Sequence, residues 1–139
     1  MAPYQQTVYI RTSGRRTYEI TQEIARIVKM SGIRVGLCHI FVTHTSCSVM
    51  INENADPSVQ HDLNQYLNRL VPENDPEYTH MFEGADDMPA HIKNVLLPVS
   101  LSAPVMDGHL ALGTWQGIFL WEHRTISHQR RLVVTVLGE

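Results

Sequence analysis

From Val99 to the C-terminus the chain reads as strand almost throughout, and this constrains the fold more than any other feature. Val99 to Met106, Leu110 to Thr114, Gln116 to Trp121 and Leu132 to Leu137 are apolar runs rich in β-branched and aromatic residues. Asp107-Gly108 separates the first two, and Asp-Gly between apolar runs is a strong hairpin signal. Earlier in the chain, Gln6 to Thr12 alternates polar and apolar residues, Arg34 to Thr45 is rich in Val, Ile and Phe, and Ser48 to Asn52 reads as its partner.

Between these strands lie three helical patterns. Ile20, Ile24, Ile27 and Val28 form one apolar stripe, which Gly32 stops. Asp56 as N-cap and Pro57 at the first helical position start a second helix with the stripe Val59, Leu63, Tyr66, Leu67 and Leu70, ended by Pro72. A short third helix is capped by Asp86 or Asp87, with Met88, Ile92, Val95 and Leu96 expected to face inward. The stretch Glu73 to Ala85 has no period and reads as a long loop, the kind that often carries function. The 139 residues leave room for a single domain, 1–139, of α+β class. The expected architecture is a two-layer sandwich with three helices on one face of a largely antiparallel sheet.

Bulk chemistry excludes several functions. The net charge is −3 and the eleven Lys and Arg are scattered, so no basic stripe offers itself to nucleic acid. No apolar run approaches a membrane span, and the polar, alternating start lacks the apolar core of a signal peptide. A cytoplasmic location is expected. Cys38 and Cys47 sit in apolar strands and read as free, buried thiols. There is no G-x-S-x-G elbow, glycine-rich phosphate loop or dinucleotide fingerprint.

Eight histidines and several carboxylates remain. Strand alternation places Ile40, Val42 and His44 on one face and His39 on the other. His44 reads either as a core-edge histidine or as the polar tip of a site. His80 lies in the long loop. His91 follows Asp87 at i, i+4, so the two share a helix face. Asp56 and one of Asp86 and Asp87 read as caps, leaving Asp86 free to cap if Asp87 works chemically. Glu53 is either a solvated strand end or an acid. His61, His109, His123 and His128 stand beside charged or turn residues and are expected on the surface. The histidine spacing matches no local zinc motif.

Taken in order, His-Thr-Ser at 44–46, Asn-Glu-Asn-Ala-Asp-Pro at 52–57, Tyr78-x-His80, Asp-Asp-Met-Pro-Ala-His-Ile-Lys at 86–93 and Leu-Gly-Thr-Trp-Gln-Gly at 112–117 form a more specific pattern. It closely resembles the YjbQ-like family, which carries the label secondary thiamine-phosphate synthase, from about Thr7 to Val136. The segment His123 to Gln129 departs from the usual pattern, and Cys47 replaces a smaller residue.

The resemblance implies a homotrimer with a polar pocket near a subunit boundary. It also implies a small-molecule reaction in which an aminopyrimidine pyrophosphate joins a thiazole phosphate. The matching blocks bring forward His44, His80 and His91 as ligands of one divalent metal, zinc by ligand type, or magnesium with a pyrophosphate substrate. Glu53, Asp87, Lys93 and Gln116 are the catalytic candidates, and Thr45, Ser46, Ser48, Asn52 and Trp115 the substrate-binding candidates. A metal-dependent hydrolase and a non-enzymatic trimeric ligand- or metal-binding module are the alternatives.

Overall fold

The computed structural model describes residues 2–139. Its elements are β1 (Tyr4–Thr12), β2 (Thr17–Glu19), α1 (Thr21–Ser31), β3 (Gly36–Val42), β4 (Cys47–Glu53), α2 (Pro57–Leu70), α3 (Asp87–Leu96), β5 (Ser100–Met106), β6 (His109–Leu110), β7 (Gln116–Glu122) and β8 (His128–Gly138). The class is α+β and every strand pair is antiparallel, as expected. The strands divide into a long sheet ordered β1-β8-β3-β5-β6 and a short one ordered β2-β7-β4. Asp107 and Gly108, both at positive φ, close the β5–β6 hairpin.

α1 buries Ile24, Ile27 and Val28, and Gly32 ends it in the left-handed conformation that a Cβ would strain. These residues join Cys38, Ile40, Val134 and Val136 of the long sheet and Val49, Ile118 and Leu120 of the short sheet in one core. The other face of the short sheet presents Trp121 to Leu67 and Val71, with Leu63 and Ile92 packed alongside, so α2 and α3 cover it. Among the described residues nothing covers the outward face of the long sheet in this way. Tyr9, Leu37, Phe41 and Leu137 stand exposed there.

Two expectations about helix faces fail. Asp56 caps α2, its Oδ1 accepting from the Ser58 N–H at 2.9 Å, yet Tyr66 and Leu70 of the apolar stripe are exposed and only Leu67 is buried. In α3 the inward residues are Asp87, Pro89, Ala90 and Lys93, whereas Val95 and Leu96 point outward. The helix turns its polar stripe inward because both ends of that stripe are bonded there, Asp87 to Arg124 and Lys93 to Asn68. β8 starts at His128, four residues before the apolar run, because Arg130 is buried and paired inside the fold.

Candidate functional site

The N-terminus of α3, the loop before it and the β7–β8 connection meet at one end of the short sheet. Asp87 is the centre of the cluster and is only 3% exposed. Its Oδ2 lies 2.6 Å from His80 Nε2 and 3.1 Å from His91 Nε2, and its Oδ1 takes the Arg124 Nη1 at 2.7 Å. Glu83 Oε2 approaches His80 Nε2 from outside at 3.0 Å. Burial alone would raise the Asp87 pKa, but the bond to His80 and the charges of His91 and Arg124 outweigh it and hold the carboxyl below its ordinary value.

The tautomer of His91 follows from its other nitrogen. Nδ1 faces the Thr45 carbonyl oxygen at 2.8 Å, and a carbonyl only accepts, so Nδ1 carries a proton. Nε2 then meets a carboxylate oxygen that also only accepts. Either the ring is an imidazolium, or a cation lies between Nε2 and Oδ2. The donor set fits a divalent ion. Ligand atoms of His80, Asp87 and His91 all lie within 4.8 Å of one another, and the Thr45 carbonyl and Arg124 hold His91 and Asp87 from behind as outer partners of metal ligands do.

His44 stands outside this set, contrary to the three-histidine expectation. Its Nε2 accepts the Arg131 backbone N–H at 2.7 Å, which uses the lone pair a metal would need. Burial and the nearby Arg130 charge lower its pKa, consistent with a neutral acceptor ring.

The remaining candidates divide between the two ends of the short sheet. Thr45 contributes its carbonyl to the cluster, and Ser46 is buried with its Oγ on Arg130 Nη2 at 3.0 Å. Ser48 is buried against His123 Nε2 at 3.0 Å. Glu53 and Gln116 pair at the opposite end of β4 and β7, seven-residue strands that separate the two ends by about 20 Å. There Glu53 Oε2 accepts the Ala55 and Asp56 N–H groups, and Gln116 Oε1 accepts the Gly113 N–H, so both brace turns. Asn52 holds Gln60, and Trp115 is exposed. Within one chain these four do not share a site with His80, Asp87 and His91.

Sequence reasoning missed the β7–β8 connection. Glu122 is fully buried, bonded to the Arg130 guanidinium and to Thr12 Oγ1 at 2.7 Å. His123, expected on the surface, is fully buried instead, because it continues the buried face of β7 beyond Trp121. Arg124 bonds Asp86 Oδ2 at 2.9 Å as well as Asp87. The available signal was that Glu122 and His123 directly follow the apolar run Ile118 to Trp121, since charged groups continuing a buried strand must be paired. Cys47 is fully buried with its thiol pushed up to about 12 by desolvation, so it keeps its proton, in line with the buried free thiol expected there. Beside His80 a cavity of about 260 Å³ opens, lined by Tyr78, Met81, Met88 and loop residues.

The fold and cluster define a class, a small antiparallel α+β protein with a histidine–carboxylate centre beside an open cavity. The family model for the UPF0047 protein YjbQ-like family matches residues 6–139, and the chain belongs to that family. It is 48% identical over 136 residues to a UPF0047 protein of Synechocystis sp., covering 98% of this chain and 92% of the relative. It is 44% identical to the UPF0047 protein YjbQ of Escherichia coli O157:H7, covering 98% and 99%. Among solved structures, a YbjQ-like protein of unknown function from Sulfolobus solfataricus superposes with a TM-score of 0.91 at 29% identity, over 99% of each chain. A conserved hypothetical protein from Thermus thermophilus gives 0.85 at 32% identity, over 95% of this chain and 99% of the other. Among the described residues no helix is long and apolar enough to cross a membrane.

Proposed function

We propose that this chain is a metal-assisted enzyme acting on a small phosphorylated substrate at His80, Asp87 and His91. The observation that carries the reading is the convergence of two imidazole nitrogens on one carboxylate oxygen, with His91 already donating through its other nitrogen. Two imidazoles and one carboxylate suit zinc, whereas magnesium prefers an oxygen-rich site. The bound ion would act as a Lewis acid on a substrate oxygen or on water. Arg124 fixes Asp87 in place, and the Thr45 carbonyl fixes the tautomer of His91. The cavity beside His80 gives the substrate room next to the cluster.

In its more specific form the reaction is the transfer suggested by the sequence blocks. The thiazole ring nitrogen forms a C–N bond to the pyrimidine methylene as the C–O bond to pyrophosphate breaks. A hydrolase is the second reading, and the 43% exposure of the His80 side chain favours it by leaving the cluster open to water. The bare face of the long sheet supports assembly into a homotrimer, because exposed Leu37, Phe41 and Leu137 are normally buried by a partner. We place the enzyme in the cytoplasm, with the two free thiols in support.

The test is turnover of zinc-loaded protein with the two thiamine precursors, reading thiamine phosphate and pyrophosphate, beside an aryl phosphate assay. Coupled product that His91→Ala abolishes supports the transferase, and aryl phosphate cleavage alone supports the hydrolase. Full metal content with no turnover in either assay overturns the enzyme reading in favour of a binding module.

A further inference from the structure

A second site lies at the other end of the inward stripe of α3 from the histidine cluster. Lys93 is six residues beyond Asp87, about 9 Å along the helix axis, and is 1% exposed. Its ammonium donates to Asn68 Oδ1 at 2.7 Å, and among the described residues no carboxylate touches it, the charges of Glu73 and Asp86 reaching it only from farther off. A buried ammonium with no counter-ion in contact is unfavourable. Next to it, buried His123 has an Nδ1 with no partner, and the positive charges of Lys93, Arg130 and Arg15 all act on its ring.

Above these groups runs a groove of about 480 Å³ between the β1–β2 turn and α2, lined by Arg15, Arg16, Gln60, Asn64 and Asn68 among others, with no Asp or Glu in its walls. The carboxamide orientations there are set from below. Asn64 Oδ1 accepts Trp121 Nε1 at 2.8 Å and Asn68 Oδ1 accepts Lys93, so both amides turn their oxygens inward and their NH₂ groups away from the buried donors. Arg16 lies over the Tyr18 ring at 4.0 Å, and Arg15 is tied to Glu73 at 2.9 Å. At the far end Gln60 Oε1 is buried without a donor.

We propose that this groove binds a small phosphate monoester. The phosphoryl group adds negative charge above Lys93, which it reaches through Asn68, and meets Arg15, Arg16 and the Asn68 amide. The groove follows α2 from Gln60 to Asn68, about 12 Å. That length takes a ring-sized polar group whose N–H donates to Gln60 Oε1. The site uses none of the histidine-cluster ligands, so it stands or falls apart from the metal reading.

The experiment is amide NMR of the full chain in excess EDTA, titrated with inorganic phosphate and then with cytidine 5′-monophosphate. The expected result is saturable shifts confined to Arg15 to Thr17 and the Gln60 to Asn68 face, reaching Gln60 only with the nucleotide. Arg16→Gln, an exposed change that leaves the fold intact, is expected to weaken binding roughly tenfold or more. Lys93→Met is expected to abolish it. Absence of saturable shifts, shifts centred on His80 to His91, or unchanged affinity in Arg16→Gln would overturn the proposal. Nucleotide shifts that stop short of Gln60 would overturn its extended-ligand half.

Discussion

Arg124 donates to Oδ1 of Asp87 at 2.7 Å, on the far side of the carboxylate from the two histidines. The guanidinium also holds Asp86 through Nε, so one planar fork sets both carboxylates at the start of α3. Arg124→Lys keeps the charge and loses the fork. It is expected to lower metal affinity about 10–100-fold, as losing an outer partner of a metal ligand does, while the chain stays folded. Metal titration with far-UV circular dichroism on the same sample checks this, and wild-type affinity would contradict it.

Asp86 does not take the capping role that the sequence leaves to it, while Asp87 meets the two histidines. Asp86 stands at the N-cap but makes no cap bond; its Oδ2 accepts from Arg124 Nε, from the Thr125 N–H at 2.8 Å and from Thr125 Oγ1. Asp86→Asn therefore replaces an ionic partner of Arg124 and is expected to lower stability by about 1–3 kcal/mol. Asp87→Asn is expected to lose metal. Thermal melting and metal content on both variants separate the roles, and a neutral Asp86→Asn would refute this assignment.

Glu122 and Arg130 form an ion pair that is almost wholly buried, with Thr12 and Ser46 completing its hydrogen bonds. Glu122→Gln leaves Arg130 uncompensated and is expected to destabilise by about 3–5 kcal/mol. Replacing both residues with apolar ones is expected to cost less than the single change. Denaturant unfolding of the three proteins tests the ordering.

His123 makes the fold acid-sensitive. Burial, with the charges of Lys93 and Arg130, lowers its pKa to about 3, so the folded ring stays neutral. Below an unfolded pKa of about 6.5 the unfolded chain takes a proton that the folded chain refuses, so stability falls with pH until about 3. The slope approaches about 1.4 kcal/mol per pH unit for one proton. His123→Gln is expected to flatten the stability curve between about pH 6.5 and 5. Parallel curves for the two proteins would contradict the buried neutral ring.

Periodicity made the fold legible. The α1 stripe, Gly32, the Asp56-Pro57 start and the Asp107-Gly108 turn are all local signals, and each lies where the sequence pattern puts it. The split into two sheets was not legible, because β2 is three residues long and has no period of its own. The α3 face was misleading because a stripe of Asp87, Ala90 and Lys93 looks solvated until Arg124 and Asn68 are seen to meet it. His80, Asp87 and His91 were legible from their blocks, but Arg124 was hidden in the segment that departs from the family pattern, and His44 looked equivalent to a cluster it does not join.

One divalent ion is expected to bind at His80, Asp87 and His91, without His44. Metal content by mass spectrometry, after chelation and reconstitution with zinc, tests it most directly on wild type, His91→Ala and His44→Ala. The expected result is one ion per chain in wild type and in His44→Ala, and none in His91→Ala. Equal metal in all three proteins, or loss in His44→Ala with retention in His91→Ala, would contradict it.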